Sequence, residues 1–312
     1  MRTGLLTKVS LCLLCLLTAI TGGCINIGSW ALRARYERTV HLSAPLQPGS
    51  TFAAQTHNGS ITIEGTPRLR GDKLAPAEAG VTDCNLTAMI IARAVTEEDA
   101  KKLAEEIKIK LEPSANKLTV KIEKPILMRN RSVSVNLNAT VPNQTNLELT
   151  THNGAVKIAN ITGEVHGTTH NGGVTATQVS GTSKLRTHNG SITCKEISGD
   201  AQLRTHNGSA KAYYSESAQS VCNVSIVTHN GGVNFTAPPD FSAAVEASTH
   251  NGSIKTDIPI TVIGKVSKKK LTGTIGTGQG KLHLQTHNGS ITIREPAPKG
   301  PAKETREAKN AE

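Results

Sequence analysis

Leu185-Arg186-Thr187-His188-Asn189-Gly190-Ser191-Ile192-Thr193-Cys194 decides the fold. Apolar and polar residues alternate up to Asn-Gly and alternate again beyond it, the period-2 pattern of two strands joined by a tight corner. The tetrapeptide at the centre recurs. Thr-His-Asn-Gly occurs eight times, with its histidine at His57, His152, His170, His188, His206, His229, His250 and His287. The central spacings are 18, 18 and 18 residues, followed by 23, 21 and 37. The 37-residue gap holds Gly273-Thr274-Ile275-Gly276, where a degenerate copy without the motif is expected.

The fourth residue after each histidine is Ile61, Val156, Val174, Ile192, Ala210, Val233, Ile254 or Ile291, all apolar. The Asn-Gly pairs, with Ser180-Gly181, Ser198-Gly199 and Thr162-Gly163, supply positive-φ positions for sharp turns. An 18-residue unit therefore reads as strand, turn, strand, turn. One such unit cannot bury its inner face alone, but stacked copies share a continuous core. The predicted fold is all-β: a parallel β-solenoid (β-helix) of about 18 residues per coil, with like strands about 4.8 Å apart. Roughly eight coils are expected between Asn143 and Arg294. A β-propeller competes poorly, because its blades need about 40–50 residues.

Alternation also assigns directions. With Leu185 and Ile192 inward, Thr187 and Asn189 lean inward and His188 points out beside Arg186. Stacking then gives a Thr row and an Asn row inside the turn, with Asn amides hydrogen-bonded along the stack. The structural turn residues are Asn153 and Gly154, Asn171 and Gly172, Asn189 and Gly190, Asn207 and Gly208, Asn230 and Gly231, Asn251 and Gly252, and Asn288 and Gly289. A Gly190→Val exchange is expected to break the corner, whereas Thr187→Val is expected to be tolerated.

The chain outside the repeat reads differently. Residues 1–23 have a basic start, an apolar run from Val9 to Ile20 and small residues before Cys24, which is a secretory signal pattern. Small residues before Cys24 resemble a bacterial lipobox, implying lipidation of Cys24, although Thr21 stands where an aliphatic residue is usual. Ordinary signal cleavage with Cys24 as a free thiol is the alternative. Residues 24–48 are expected to be anchor and linker. Residues 49–139 are expected to be an N-terminal strand and helix cap. Within it, Val81 to Val95 reads as one long strand or two short ones, and Thr96-Glu97-Glu98-Asp99 opens a helix with Ala100, Leu103, Ala104 and Ile107 on one face. Ile107–Leu111 and Leu118–Ile122 then form a hairpin. The solenoid is assigned to residues 140–295, and residues 296–312 form a disordered tail.

Composition limits the function. The 312 residues are 37 % hydrophobic but only 2 % aromatic, so the core is built from small aliphatic side chains. No long apolar span lies outside the N-terminus, which excludes a polytopic membrane protein. The net charge of +11 becomes +9 without residues 1–23, which carry Arg2 and Lys8 and no acid. Beyond Cys24 only Cys84, Cys194 and Cys222 remain. Their spacing is not metal-like, and they read as buried thiols, with a Cys194–Cys222 bridge as an alternative.

The Thr-x-Asn-Gly turn followed by Ile or Val, the Ser-Gly turns and the helix-hairpin insertion together resemble the bacterial putative-adhesin domain of unknown function, a β-helix family common on envelope lipoproteins. The match spans roughly residues 49–294. The resemblance implies a β-helix at the cell envelope and brings no catalytic residues.

Three roles compete for the outward histidines: a solvated row without a ligand, a metal- or pH-responsive surface, and part of a binding face for an anionic polymer. Zinc is the metal such a ladder suggests, but it prefers four ligands and no carboxylate or thiolate accompanies the motif. Adjacent imidazolium charges would repel, which lowers their pKa. Arg186 and Arg204 recur at one position, as do Lys157, Lys211 and Lys255, and Lys268-Lys269-Lys270 forms a run; an anionic envelope glycan or lipid headgroups suit this charge. Nucleic acid does not suit a chain without aromatic stacking platforms. Acids in the repeats are single (Glu164, Glu196, Asp200 and Glu216), and no catalytic residues are assigned. The sequence thus predicts a non-catalytic, exported and lipid-anchored scaffold with no required cofactor, partnered by the membrane through its lipid and by an envelope glycan or surface protein.

Overall fold

The computed structural model describes residues 34–66, 83–126, 130–262 and 267–295. The expected signal peptide, Cys24 and the tail lie outside the described residues. Strands are numbered in chain order, and the helix is α1.

Two open, parallel-rich sheets of 11 and 12 strands face one another. Eight layers each give one strand to each sheet, joined at an Asn-Gly corner. In stacking order the layers are β2 (Thr51–Asn58) with β3 (Ile61–Thr66), β8 (Asn146–Asn153) with β9 (Val156–Thr162), and β10 (Val165–Asn171) with β11 (Val174–Ser180). Next come β12 (Ser183–Asn189) with β13 (Ile192–Ile197), and β14 (Ala201–Arg204) with β15 (Ala210–Tyr214). The last three are β16 (Asn223–Val227) with β17 (Val233–Thr236), β22 (Gly280–Asn288) with β23 (Ile291–Arg294), and β18 (Ala243–Asn251) with β19 (Ile254–Thr256).

The register follows the motif. Val165 pairs with Ser183 and Asn171 with Asn189, while Val174 pairs with Ile192, so like positions lie side by side. Ile61, Val156, Val174, Ile192, Ala210, Val233 and Ile291 are fully buried between the sheets, and Ile254 in the end layer is partly covered. The core is aliphatic, with Phe52 and Phe235 its two fully buried aromatic rings among the described residues.

The stack departs from chain order at its C-terminal end. Layer seven comes from the last motif copy, and the copy at His250 lies outside it: β22 pairs with β16 on one side and β18 on the other. The segment expected to be a degenerate parallel copy is β21 (Lys270–Ile275), which runs antiparallel to β18, with β20 (Thr261–Val262) beyond it. An antiparallel strand needs no motif corner, so none is present. Seven layers therefore fall between Asn143 and Arg294, and the eighth is built by β2 and β3.

At the other end the first motif copy is a layer of the stack rather than part of a separate cap, since β2 pairs with β8 and β3 with β9. The insertion continues outward from it. β7 (Ser132–Pro142) runs parallel to β3, and β6 (Lys117–Glu123) runs parallel to β2 and antiparallel to β5 (Lys108–Ser114). β4 (Asp83–Ala94) is one long strand, antiparallel to β7. β1 (Ala34–Pro45), within the stretch expected as linker, is a twelve-residue strand paired with β4 along its whole length. Helix α1 (Glu97–Glu106) begins where Thr96 accepts a hydrogen bond from the Asp99 amide, and it buries Ala100, Leu103 and Ala104. Arg38 on β1 donates to the carbonyls of Ala104 and Ile107 near the end of α1, giving two of the helix's orphan acceptors a partner.

The corner itself is three ladders. Each motif threonine is buried, and from layer two onward its hydroxyl donates to the motif glycine carbonyl of the layer before: Thr187 to Gly172 and Thr205 to Gly190, both at 2.8 Å. Each of those glycine amides donates onward, as Gly172 does to the Asn189 carbonyl at 3.0 Å. The asparagine amides form a continuous chain, each donating to the next at 2.7–2.8 Å from Asn251 through Asn288, Asn230, Asn207, Asn189, Asn171 and Asn153 to Asn58. Asn58 ends it on the Val133 carbonyl.

Two expectations change here. Asn189 and its equivalents from Asn153 onward are exposed, because alternation stops at the corner and the side chain turns along the surface. The motif glycine is required less by its φ than by crowding. A Cβ at Gly190 would lie 2.0 Å from the Gly172 carbonyl oxygen, and Gly154, Gly172 and Gly289 meet the same obstacle. Positive φ is more pronounced at the opposite bend, where Gly181 and Gly199 sit at 109° and 111° and Asn160, Gln178 and Glu196 lie between 52° and 58°; of the motif glycines Gly59 is at 137°, and Gly208 and Gly231, at 156° and 159°, are close to extended.

Candidate functional site

The motif histidines stand outward in one row, as alternation requires. From His170 the rings stack in the order His188, His206, His229, His287 and His250, with centroids 4.6–4.8 Å apart and planes within 6°. The first two contacts differ: His57 and His152, and His152 and His170, meet edge to face at 4.9 and 4.7 Å. His152 Nδ1 is the one buried side-chain polar atom without a partner among the described residues.

This arrangement resists protonation. Partial desolvation first, and neighbouring rings second, hold His188 and His287 below the ordinary imidazole range. His57 is lowered by the same causes, with Lys124 adding to them.

Beside the row runs a groove. Its larger section has a volume of about 950 Å³ and lies over His57, His152, His170, His188 and His206, with Gln55, Thr150, Thr168, Arg186 and Arg204 as its floor and Lys121 and Lys124 at one end. A section of about 430 Å³ continues it past His229, His287 and His250. No carboxylate lines either section. Arg186 and Arg204 pair directly in adjacent strands, and no ion pair neutralises either.

The acids on the same sheet face sit further from the row and are partnered. Glu148 accepts from Lys117 at 2.6 Å, and Glu246 meets His283 at 3.5 Å. Glu164 accepts from Lys184 at 2.8 Å and contacts His166 at 2.9 Å, which drives its pKa down to about 2. Lys121 is paired with Glu112 at 2.9 Å.

The structure brings together the eight histidines and the Arg186–Arg204 pair. It does not bring together Lys157, Lys211 and Lys255. They lie in the other sheet, with Thr175 and Thr193 between the first two and Asn234 and Thr292 between the last two, so they form no stripe. Lys268, Lys269 and Lys270 are exposed at the C-terminal end, where the carbonyls of Lys268 and Lys269 accept from Ile254 and Thr249. Sequence reading missed Lys121 and Lys124 as neighbours of the row. The strict alternation of Leu118–Ile122 was the available signal, since β6 pairs with β2 in a register that carries Lys121 toward Gln55.

Cys84, Cys194 and Cys222 are free and buried, and burial pushes their thiols up to about 12, 12 and 11. They act as small apolar side chains. Among the described residues no group of three or more His, Cys, Asp or Glu is placed to hold a metal ion, and no helix is long and apolar enough to cross a membrane.

Two open parallel-rich sheets with identical corners in register define an all-β repeat protein whose exposed feature is a charged, histidine-lined face. The chain belongs to the Toastrack DUF4097 family, whose model matches residues 37–294. The chain is also similar to solved structures at low identity. A "putative cell adhesion protein" from Clostridium sporogenes ATCC 15579 matches at 11 % identity and TM-score 0.32, covering 83 % of this chain and 100 % of its own. A "putative adhesin" from Bacteroides fragilis NCTC 9343 matches at 14 % and 0.38, covering 83 % and 97 %. A "putative lipid binding protein" from Parabacteroides distasonis ATCC 8503 matches at 9 % and 0.30, covering 86 % and 98 %. No curated protein matches the chain.

Proposed function

We propose that this protein is a non-catalytic β-solenoid of about 18 residues per regular coil, displayed at a bacterial cell envelope through a lipid on Cys24, and that it works as a binding scaffold. Its working surface is the histidine-lined groove. The observation that carries this reading is the unbroken groove along the stack, flanked by eight aligned histidines and lined by no carboxylate. A rigid parallel stack holds those side chains at fixed intervals, which is what recognition by an extended surface needs. Membership of the Toastrack DUF4097 family supports a non-enzymatic role.

Proton response is the part of the histidine reading that the geometry favours over zinc. Stacked rings in near-parallel planes are 4.6–4.8 Å apart. Two imidazole nitrogens on one zinc ion can be at most about 4.2 Å apart, twice the zinc–nitrogen distance. A shared ion would therefore require the rings to tilt out of the stack.

The test is to fill the groove. Thr168 is exposed on its floor, so Thr168→Trp leaves the core untouched. The full chain in detergent should bind isolated cell envelopes saturably, and T168W should weaken that binding at least about tenfold. Undiminished binding by T168W would remove the groove from the function.

A further inference from the structure

We propose that the groove is a proton-gated seat for an extended anionic glycan, held by Arg186, Arg204 and Lys124 at neutral pH and more tightly as the histidine row takes up protons. This rests on the binding-scaffold reading above and adds the ligand class and its control.

The charge pattern is the first argument. Arg186 and Arg204 stand side by side in adjacent strands, and like charges directly opposite one another destabilise a sheet. Neither has a carboxylate partner, although Glu148, Glu164 and Glu246 on the same sheet face are each partnered. The unrelieved pair opens onto a groove without acids, and an acidic ligand would relieve it.

Shape and chemistry restrict that ligand. The groove crosses the strands and passes every layer, so a chain-like molecule meets a histidine at each step and the arginine pair at its middle. A single small anion would use one layer. The exposed large apolar residues among those described are Val95, Ile126 and Val221, and none lines the groove, so nothing there would insert into a membrane. In the stacked run from His170 to His250 each interior ring has a neighbour over both faces. That removes the π-faces on which nucleic-acid bases stack. What remains available are ring nitrogens, guanidinium groups and threonine hydroxyls, the donor set for carboxylate-bearing sugars.

Proton gating follows from the spacing. The groups facing the row are Arg186 and Arg204 on its own sheet, Lys124, and the Glu112-paired Lys121 on β6; the nearest acids are occupied by Lys117, Lys184, His166 and His283. Rings this close repel once charged, and the fixed cations add to that repulsion. A bound polyanion reverses the sign of the local field. Binding must then take up protons, and by linkage acidification must strengthen binding.

The experiment measures binding of the full chain in detergent to polygalacturonate at pH 5.5 and 7.5, where its carboxylates stay ionised. Neutral dextran, dextran sulfate and vesicles containing anionic lipid are parallel arms. The expected result is binding to polygalacturonate with none to dextran, about tenfold tighter at pH 5.5 and weakened by added salt. R186Q/R204Q, both exposed changes, should weaken it at least about tenfold at either pH with an unchanged thermal midpoint. H188Q/H206Q should shrink the pH difference. Equal binding to dextran, indifference to R186Q/R204Q, or capture only by vesicles or only by dextran sulfate would overturn the proposal. If no polyanion binds while T168W still abolishes envelope binding, the ligand class is wrong and the scaffold reading stands.

Discussion

The two ends of each layer are built by different rules. At the Asn-Gly corner every layer carries the same residues, and the fourth position after each histidine is always apolar. At the opposite bend the chain length varies freely. Linked asparagines on the first corner are separated by 18 residues in the central layers but by 95, 23, 58 and 37 elsewhere. The extra chain leaves and returns at the opposite bend: the α1 insertion between β3 and β8, residues 215–222 between β15 and β16, residues 237–242 between β17 and β18, and the β20–β21 excursion between β19 and β22. The difference shows what the repetition is for. Layers touch backbone to backbone at the motif glycine in every layer, so that corner admits no side chain and no extra residue; at the other bend such glycine contacts join only some layers, as at Gly181 and Gly199, and insertions take their place elsewhere.

This contrast can be broken most severely at Gly190. A Cβ there would overlap the Gly172 carbonyl, and real Cβ atoms do not approach backbone so closely. Gly190→Val should cost on the order of 4 kcal/mol or more, seen as loss of the cooperative unfolding transition or of soluble protein. Thr187→Val comes next. It keeps the shape but takes away the hydroxyl that donates to the Gly172 carbonyl from a buried position, so chemical denaturation should show a loss of about 1–3 kcal/mol. That reverses the tolerance expected from the sequence. Asn189→Ala interrupts the amide chain on both sides in an exposed place and should cost about 1 kcal/mol by the same measurement. A three-residue Gly-Ser-Gly insertion after Ser217, at the permissive bend, should shift stability by no more than about 0.5 kcal/mol.

Mild acid should act on the invariant corner through its histidines. His57, His188 and His287 have folded pKa values below the free imidazole value, so the unfolded chain binds protons first. Their contribution to stability is present above about pH 6.5 and is lost as pH falls from there through the folded values. Thermal midpoints recorded across that range should fall with acid, and less steeply in H57Q/H188Q/H287Q.

Much of this was legible because stacking copies every choice. Period-2 alternation placed Thr187 inside and His188 outside, and the Asn ladder followed from placing identical corners in register. The order of the last layers was not legible. The copies at His250 and His287 present the same corner to His229, so the motif cannot choose between them; antiparallel pairing of β21 along β18 occupies the far side of the His250 layer. Exposure of Asn189 was missed because alternation describes strands and stops where the chain turns. The groove's basic end was missed for a topological reason. Lys124 belongs to an insertion between the first two motif copies, and only pairing of β6 with β2 returns it to the row.

The most direct test of the account is a proton NMR titration of the imidazoles in the full chain, repeated with one equivalent of zinc. The close-set histidine row predicts that His57, His188 and His287 titrate below the ordinary imidazole range, over a broad interval, and that zinc leaves their signals in place. Titration of these three at or above the free value, each as an independent sharp step, would contradict the close-set row. Selective zinc shifts at several motif histidines at micromolar metal would replace the proton-gated groove with a metal-binding surface.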